Sequence, residues 1–186
     1  MLVFFTMGLN YNQEDFMGLD RFFQDAVSSN NTDANAASSI EVEMYECDCM
    51  YPTFAEIARR SGQPEIGAMF DAIAKEEGMH AQLLTKLYAE LEVKDSAETL
   101  EAKRLVSTIE AQIDAVASDS RGLRRALETA LEVETIESQK TYPAFAKLAA
   151  QQGQLDVAQA FDAIVKSETK HANWVKRALE NLLEVA

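Results

Sequence analysis

Residues 41–81 read EVEMYECDCMYPTFAEIARRSGQPEIGAMFDAIAKEEGMHA, and residues 132–172 read EVETIESQKTYPAFAKLAAQQGQLDVAQAFDAIVKSETKHA. The two stretches align without a gap at an offset of 91 residues, and 19 of the 41 positions are identical. Unrelated sequences of ordinary composition would share about three. Each stretch carries helix-forming residues on both sides of a short Gly-Gln break, so the sequence predicts a duplicated pair of helices.

The breaks set the helix boundaries. Gly62 precedes Pro64, and Gly153 occupies the equivalent position, which is the usual pattern of a glycine after one helix and a proline at the start of the next. Breaks this short make the paired helices antiparallel neighbours. The predicted fold is all-α, a ferritin-like four-helix bundle with one long crossover and an extra short N-terminal helix. The predicted helices cover 33–60, 64–93, 122–151 and 154–184, the crossover covers 98–118, and the N-terminal helix covers 13–28.

The chain of 186 residues is long enough for one domain with a real core, and we divide it into an N-terminal segment, 1–32, and a bundle, 33–186. Its net charge of −14, with no basic cluster, argues against nucleic acid or an anionic membrane as a partner. Residues 1–6 are apolar but too short for a membrane span and lack the basic start of a signal peptide. Cys47 and Cys49 point to different sides of a helix, so we expect free thiols in a reducing compartment, cytoplasm or plastid stroma.

The two histidines of the chain occur in the same motif. His80 closes a Glu-x-x-His that starts at Glu77, and His171 closes the equivalent motif that starts at Glu168. Residues three apart on a helix point to the same side, so each motif presents a carboxylate and an imidazole together. Each copy also contains a Glu-x-x-Glu. The predicted metal ligands are therefore Glu43, Glu46, Glu77, His80, Glu134, Glu137, Glu168 and His171.

This set of donors predicts a site for two metal ions. Mixed glutamate and histidine ligands suit iron, manganese or zinc, and buried glutamates are costly unless a cation or protons neutralise them. The usual di-iron bundle uses four glutamates and two histidines, whereas this chain offers six glutamates. The two surplus carboxylates favour the more highly charged oxidation state of a bound iron.

Other residues carry weaker signals. Tyr51 and Tyr142 are packing residues or hydrogen-bond donors to a ligand glutamate or an oxygen intermediate, and we name them as candidate catalytic residues. Pro52 and Pro143 lie inside helical patterns and predict kinks, either inherited from one ancestor or needed to shape the pocket. Cys47 and Cys49 have no counterparts in the second copy and are taken as structural or surface thiols. The carboxylates predicted to face solvent are Glu41, Glu76, Glu132, Asp71 and Asp162.

The run Glu134-x-x-Glu137, Tyr142-Pro143-x-Phe145-Ala146, Glu168-x-x-His171 resembles the second half of the di-iron domain of rubrerythrins, a branch of the ferritin-like di-iron carboxylate proteins. The first half differs, because it carries both Glu43 and Glu46 where rubrerythrins typically have one glutamate. The doubled Glu-x-x-Glu resembles the internally symmetric members of that branch. The resemblance covers 33–184.

The resemblance implies two iron ions that cycle between Fe²⁺ and Fe³⁺, oxo- or hydroxo-bridged when oxidised, with manganese as the alternative metal. It implies that His80 and His171 each complete the ligand set of one ion. It also implies that Glu77 and Glu134, or Glu46 and Glu137, bridge or flank the ions while the other glutamates complete the shells. The sequence leaves open which glutamates bridge.

The expected function is a di-iron peroxidase or oxidase that reacts with hydrogen peroxide or O₂. The chain carries no Cys-x-x-Cys for a rubredoxin-type iron, so electrons would come from a separate donor such as a ferredoxin or rubredoxin. The alternatives are a ferroxidase or iron-handling protein, a dimanganese catalase and a purely structural metal bundle. We expect a monomer or homodimer. An oxidising site can also attack its own walls, and Val133, Phe22 and Phe23 are the residues we expect such a reaction to modify.

Overall fold

A computed structural model describes residues 30–88 and 120–185 of the chain. The first repeat consists of α1 (Thr32–Tyr45), a π-helical turn π1 (Glu46–Met50), α2 (Tyr51–Arg60) and α3 (Pro64–Leu87). The second repeat consists of α4 (Ser120–Ile136), π2 (Glu137–Thr141), α5 (Tyr142–Gln151) and α6 (Leu155–Val185). In each repeat the first three elements form one continuous long helix, which confirms the all-α prediction.

The helix ends follow the local sequence. Asn31 caps α1, because its side chain accepts hydrogen bonds from the backbone N–H groups of Asp33 and Ala34. Gly62 and Gly153 follow the first long helix of each repeat with φ of 76° and 78°, a backbone conformation that only glycine adopts without strain. The predicted breaks are therefore confirmed in both repeats.

The two prolines are accommodated by π-helical turns. Each turn comes just before the Tyr-Pro pair, and the N–H of Tyr51 bonds to the carbonyl of Glu46, five residues earlier. The N–H of Tyr142 bonds to Glu137 in the same way. Each proline thus lies in the first turn of the helix that follows, where its missing N–H costs little. The sequence predicted kinks here but gave no sign of the wider turns, which often occur at functional sites.

The four long helices form a bundle. The long helix α1–π1–α2 packs on α3, the equivalent helix α4–π2–α5 packs on α6, and α3 packs on α6. The contacts of α2 with α4 and of α1 with α5 show that the two first helices run antiparallel. Each repeat supplies a matching aromatic trio to the core, with ring centroids 5.5 to 6.2 Å apart: Tyr51, Phe54 and Phe70 in one, and Tyr142, Phe145 and Phe161 in the other.

Some predictions lie outside the described residues. These are the N-terminal helix at 13–28, with Phe22 and Phe23, the last residues of the helix predicted to end at 93, and the crossover at 98–118. Within 30–88 and 120–185, no helix has the length and apolar character needed to cross a membrane.

Candidate metal centre

The eight predicted ligands lie together in the middle of the bundle. In each repeat the first helix and the π-helical turn that follows it, α1 with π1 and α4 with π2, contribute one Glu-x-x-Glu. The helices α3 and α6 contribute one Glu-x-x-His each. Every one of these side chains belongs to a residue that is at most 8% exposed. The structure therefore places all eight in one buried cluster, and their role as ligands stays a prediction.

Six of the eight form two overlapping groups of potential ligands. One group consists of Glu43, Glu77, His80 and Glu168, and the other of Glu77, Glu134, Glu168 and His171. Within each group the donor atoms lie within 4.8 Å of one another. Glu77 and Glu168 belong to both groups, so these two carboxylates are the ones placed to contact two ions at once. The resemblance implied that Glu77 with Glu134, or Glu46 with Glu137, bridge or flank the ions, and which glutamates bridge stays a prediction.

The first group surrounds the Nδ1 atom of His80. That nitrogen lies 2.8 Å from Glu77 Oε2, 3.0 Å from Glu168 Oε1 and 3.2 Å from Glu43 Oε2. Three carboxylates from three different helices thus converge on one ring nitrogen, in the arrangement that a metal ion requires.

The second group surrounds the Nδ1 atom of His171 in the equivalent way. This nitrogen lies 3.0 Å from Glu168 Oε2, 3.1 Å from Glu77 Oε1 and 3.5 Å from Glu134 Oε2. The ring centroids of His80 and His171 are 6.1 Å apart. The two groups are therefore adjacent halves of a single site.

Glu46 and Glu137 lie beside these groups. Burial, followed by the mutual repulsion of these two carboxylates, raises the pKa of Glu46 well above its usual value. Burial and the negative charge of Glu168 do the same for the pKa of Glu137. Both are first residues of the π-helical turns, so the turns present the two surplus carboxylates to the site.

The candidate catalytic tyrosines connect the repeats. The hydroxyl of Tyr51 donates a hydrogen bond to Glu134 of the second repeat, and the hydroxyl of Tyr142 donates one to Glu43 of the first. Both tyrosines are fully buried, and burial together with the nearby carboxylates raises their pKa values well above the usual range. Each phenol therefore stays protonated and can orient a glutamate.

The electrostatics of the cluster fit a pair of cations. Burial raises the pKa of Glu77 to about 7 and that of Glu168 well above its usual value. Burial alone lowers the pKa of each histidine, but the three carboxylates around each ring outweigh burial and raise that pKa. Without cations the cluster must hold protons instead, since buried carboxylates cannot all remain charged.

Unpaired oxygens give a second indication of fit. Within residues 30–88 and 120–185, buried oxygens of Glu77, Glu134, Glu137 and Glu168 accept no hydrogen bond. Both oxygens of Glu77 are among them, although Oε2 lies 2.8 Å from His80 Nδ1 and Oε1 lies 3.1 Å from His171 Nδ1. A buried carboxylate oxygen that accepts no hydrogen bond has lone pairs available to a metal ion. Two divalent ions would also neutralise the charge of the carboxylates directly.

Glu76 was predicted to face solvent, and this was wrong. Its side chain is 28% exposed, and Glu76 Oε2 lies 3.2 Å from His171 Nε2, on the side of the ring opposite to the cluster. Burial alone would raise the pKa of Glu76, but hydrogen bonds from Lys170, Ser167 and His171 lower it to about 2. The repeat gave no signal for this contact, because the equivalent position in the second copy is a serine.

Of the other carboxylates that were predicted to face solvent, two are exposed and two are half-buried. Asp71 and Asp162 are exposed as expected, whereas Glu41 and Glu132 are half-buried, because each comes two residues before a site glutamate on a packed helix. Cys47 and Cys49 form no disulfide, as the sequence predicted, and the structure shows both half-buried. Val133 is buried in the apolar core, and its oxidation stays a prediction.

Comparison with known proteins agrees with this geometry. The family model for rubrerythrin matches the chain over residues 20–88 and over residues 39–179. The chain is 95% identical over 180 residues to symerythrin from Cyanophora paradoxa, covering 97% of this chain and 100% of that protein. It is 30% identical to a rubrerythrin from Clostridium perfringens, covering 72% of this chain and 63% of that protein.

A solved structure gives the same result. The crystal structure of symerythrin from Cyanophora paradoxa, reduced with dithionite, superposes with a TM-score of 0.80 at 95% identity, covering 96% of this chain and 100% of that one. The family match spans well over half of the chain, and all eight glutamates and histidines that the repeat singled out are buried. The chain therefore belongs to the rubrerythrin family, and its buried cluster of carboxylates and histidines fits a di-iron site.

Proposed function

We propose that this chain is a di-iron oxidoreductase that reduces hydrogen peroxide or O₂ with electrons from a separate donor protein. The observation that carries the proposal is the convergence of six buried glutamates and two histidines, with Glu77 and Glu168 shared between two groups of ligands. A structural metal site would need fewer carboxylates and no surplus of negative charge.

When bound in this cluster, a pair of ferrous ions supplies the two electrons that, with two protons, convert one hydrogen peroxide to two water molecules. The protein residues have two tasks around that chemistry. Glu77 and Glu168 would hold both ions, since both groups of potential ligands share them, and Glu43 and Glu134 would each complete the ligand set of one ion.

The surplus carboxylates set the charge of the site. With both ions bound and Glu46 and Glu137 ionised, these two residues would add two negative charges to the four of an ordinary di-iron bundle, which would stabilise the oxidised ion pair and make the ferrous pair a stronger reductant. Each is the first residue of a π-helical turn, a feature that often occurs at functional sites.

The tyrosines hold the outer carboxylates in place. Tyr51 fixes Glu134 and Tyr142 fixes Glu43, so each repeat orients one glutamate of the other. Their raised pKa values keep the hydroxyls protonated, and the hydroxyl protons are directed at the carboxylates that face each histidine. Both tyrosines would therefore restrain a ligand glutamate at the site.

Reaction with ferrous protein tests the proposal. The chain is loaded anaerobically with ferrous iron, mixed with hydrogen peroxide or O₂, and followed by Mössbauer and optical spectroscopy. We expect two ferrous ions per chain to be oxidised together, and faster than free ferrous ion under the same conditions. Oxidation no faster than that of free ferrous ion would rule the proposal out.

A matched pair of variants makes the test specific. Glu168→Gln removes one shared carboxylate, and Glu65→Gln removes one exposed carboxylate from α3. We expect the first to lose paired oxidation and the second to retain it. Metal analysis of protein from its native source distinguishes iron from manganese, and a manganese pair would favour catalase chemistry.

A further inference from the structure

The two histidines differ on their outer sides. The Nε2 atom of His171 faces Glu76 Oε2 at 3.2 Å, and the hydroxyl of Ser167 donates to the same oxygen at 2.9 Å. Lys170 forms an ion pair with Glu76 and lies 4.9 Å from the ring centroid of Trp174. The ring of Trp174 in turn lies 5.7 Å from that of His171. A charged and aromatic layer therefore covers the outer side of this ligand.

Among residues 30–88 and 120–185, no equivalent layer covers His80. Across the 91-residue offset, Ser167 replaces Glu76, Met79 stands where Lys170 stands, and Leu83 stands where Trp174 stands. Met79 and Leu83 are exposed hydrophobic residues. Within residues 30–88 and 120–185, the hydrogen bonds and ion pairs of His80 all involve Nδ1, the nitrogen that faces the cluster.

This difference has a chemical consequence for metal binding. A histidine that binds a metal through Nδ1 carries its proton on Nε2, and a carboxylate that accepts this proton fixes the tautomer and the orientation of the ring. It also increases the electron density on the donor nitrogen. Outer partners of this kind change metal affinity by about 10–100-fold.

We propose that Glu76 is a positioning residue that holds His171 with Nδ1 directed at the cluster, so that the metal position beside His171 binds a divalent cation more tightly than the position beside His80. The inference rests on the dimetal centre proposed above, but it concerns the inequality of the two positions and not their reaction with oxidants. Ser167 and Lys170 contribute by holding the carboxylate of Glu76 beside the ring.

Zinc binding tests the inference without redox chemistry. Zinc is redox-inactive and diamagnetic, so titration calorimetry gives the affinities, and NMR of protein labelled with ¹⁵N-histidine gives the state of each ring. We expect two binding steps of unequal affinity in the unmodified chain. In the zinc-loaded protein the Nε2 proton of His171 should exchange slowly with water, and its proximity to Trp174 identifies the signal.

Three variants separate the contributions. Glu76→Ala should weaken the tighter step by about 10–100-fold, speed exchange of the His171 proton and leave the weaker step unchanged. Glu76→Gln, which keeps a neutral acceptor, should lie between the unmodified chain and Glu76→Ala, and it serves as the test if Glu76→Ala does not fold. Glu65→Gln, an exposed charge loss on the same helix, should change neither step.

The failures of the two proposals are distinguishable. Two zinc ions bound with equal affinity in the unmodified chain would overturn the inference and leave the dimetal centre intact. The same conclusion follows if Glu76→Ala and Glu65→Gln weaken zinc binding equally. It also follows if Glu76→Ala leaves the exchange rate of the His171 Nε2 proton unchanged. Fewer than two zinc ions per unmodified chain would overturn the dimetal centre and the inference with it.

Discussion

The two repeats agree toward the metal cluster and differ away from it. Each repeat supplies three glutamates, one histidine, a π-helical turn and a tyrosine that bonds a glutamate of the other repeat. On the outer side, Glu76, Lys170 and Trp174 cover His171, and the part of the chain that the structure describes has no such cover at His80. A residue that faces the shared site contacts side chains of both repeats, whereas a residue behind one histidine contacts the surroundings of that histidine alone. The inner residues therefore match between the repeats and the outer ones differ.

The aromatic core supports the same interpretation. The stacked ring centroids are 5.9 Å apart for Tyr51 and Phe70 and 5.8 Å apart for Tyr142 and Phe161. The centroid distances of the edge-to-face pairs agree between the two trios to within about 0.2 Å. These rings form the wall that holds the tyrosine hydroxyls in position. The internal symmetry therefore extends from the site into the packing that supports it.

The largest effect should come from the shared carboxylates. Glu77→Ala and Glu168→Ala each remove a carboxylate shared by both groups of potential ligands. If both groups bind metal as proposed, each variant should lower metal affinity by more than the change of about 10–100-fold that outer partners cause. Metal content per chain after desalting measures the loss. Equal losses support the symmetry of the inner site, and retention of both ions by either variant would contradict it.

The inner site was predictable because its signals are local and repeated. Helix spacing brings each Glu-x-x-His together, and the gapless offset of 91 residues relates the two motifs as equivalent parts of one site. The helix ends were predictable because Gly62 and Gly153 act on their own neighbours. None of these inferences required knowledge of contacts between distant residues.

A change of pH should produce the next largest effect, on the metal-free protein. The folded chain holds protons on carboxyls and histidines whose pKa values are raised, and the unfolded chain releases them at lower pH. Folded protein thus binds more protons than unfolded protein above about pH 4.5, the usual pKa of a glutamate side chain, so stability falls as pH rises. For Glu77 this loss runs from about pH 4.5 to about pH 7.

Variants at mirrored positions sharpen this measurement. Glu46→Gln and Glu137→Gln each remove one carboxyl with a raised pKa, so each should flatten the pH dependence and stabilise the metal-free protein at pH 8. Chemical unfolding at pH 5.5, 6.5 and 8 gives the free energies. A metal-free protein that becomes more stable from pH 5.5 to pH 8 would contradict the electrostatics described above.

The tyrosines should give a smaller and equal pair of effects. Tyr51→Phe and Tyr142→Phe each remove one buried hydroxyl that donates to a glutamate and leave the aromatic packing in place. Each should lower the free energy of unfolding by about 1–3 kcal/mol, because the freed carboxylate stays buried. Denaturant unfolding compares the two, and a difference above about 1 kcal/mol would show that the repeats are not equivalent here.

Two features were missed for physical reasons. The π-helical turns depend on how a proline is accommodated inside a packed helix, and the sequence pattern of a kink and of a π-helical turn is the same. The contact of Glu76 with His171 joins residues 95 apart in the chain, and its counterpart is a serine. Comparison of the two repeats identifies residues that both copies share, so it cannot identify a contact made by a residue that only one copy has.

The smallest effect should come from making the outer sides alike. Lys170→Met installs the residue of the first repeat and removes an ion pair whose side chains are 42% and 28% exposed, together with a cation–π contact. Exposed pairs contribute about 0–1 kcal/mol, so the free energy of unfolding should fall by about 1 kcal/mol or less. Met79→Lys is the matched control: it places a cation where the second repeat offers Ser167 and not a carboxylate, and it should stabilise nothing. If Met79→Lys stabilised the protein by as much as Lys170→Met destabilised it, the outer asymmetry would come from the fold around the histidines and not from Glu76.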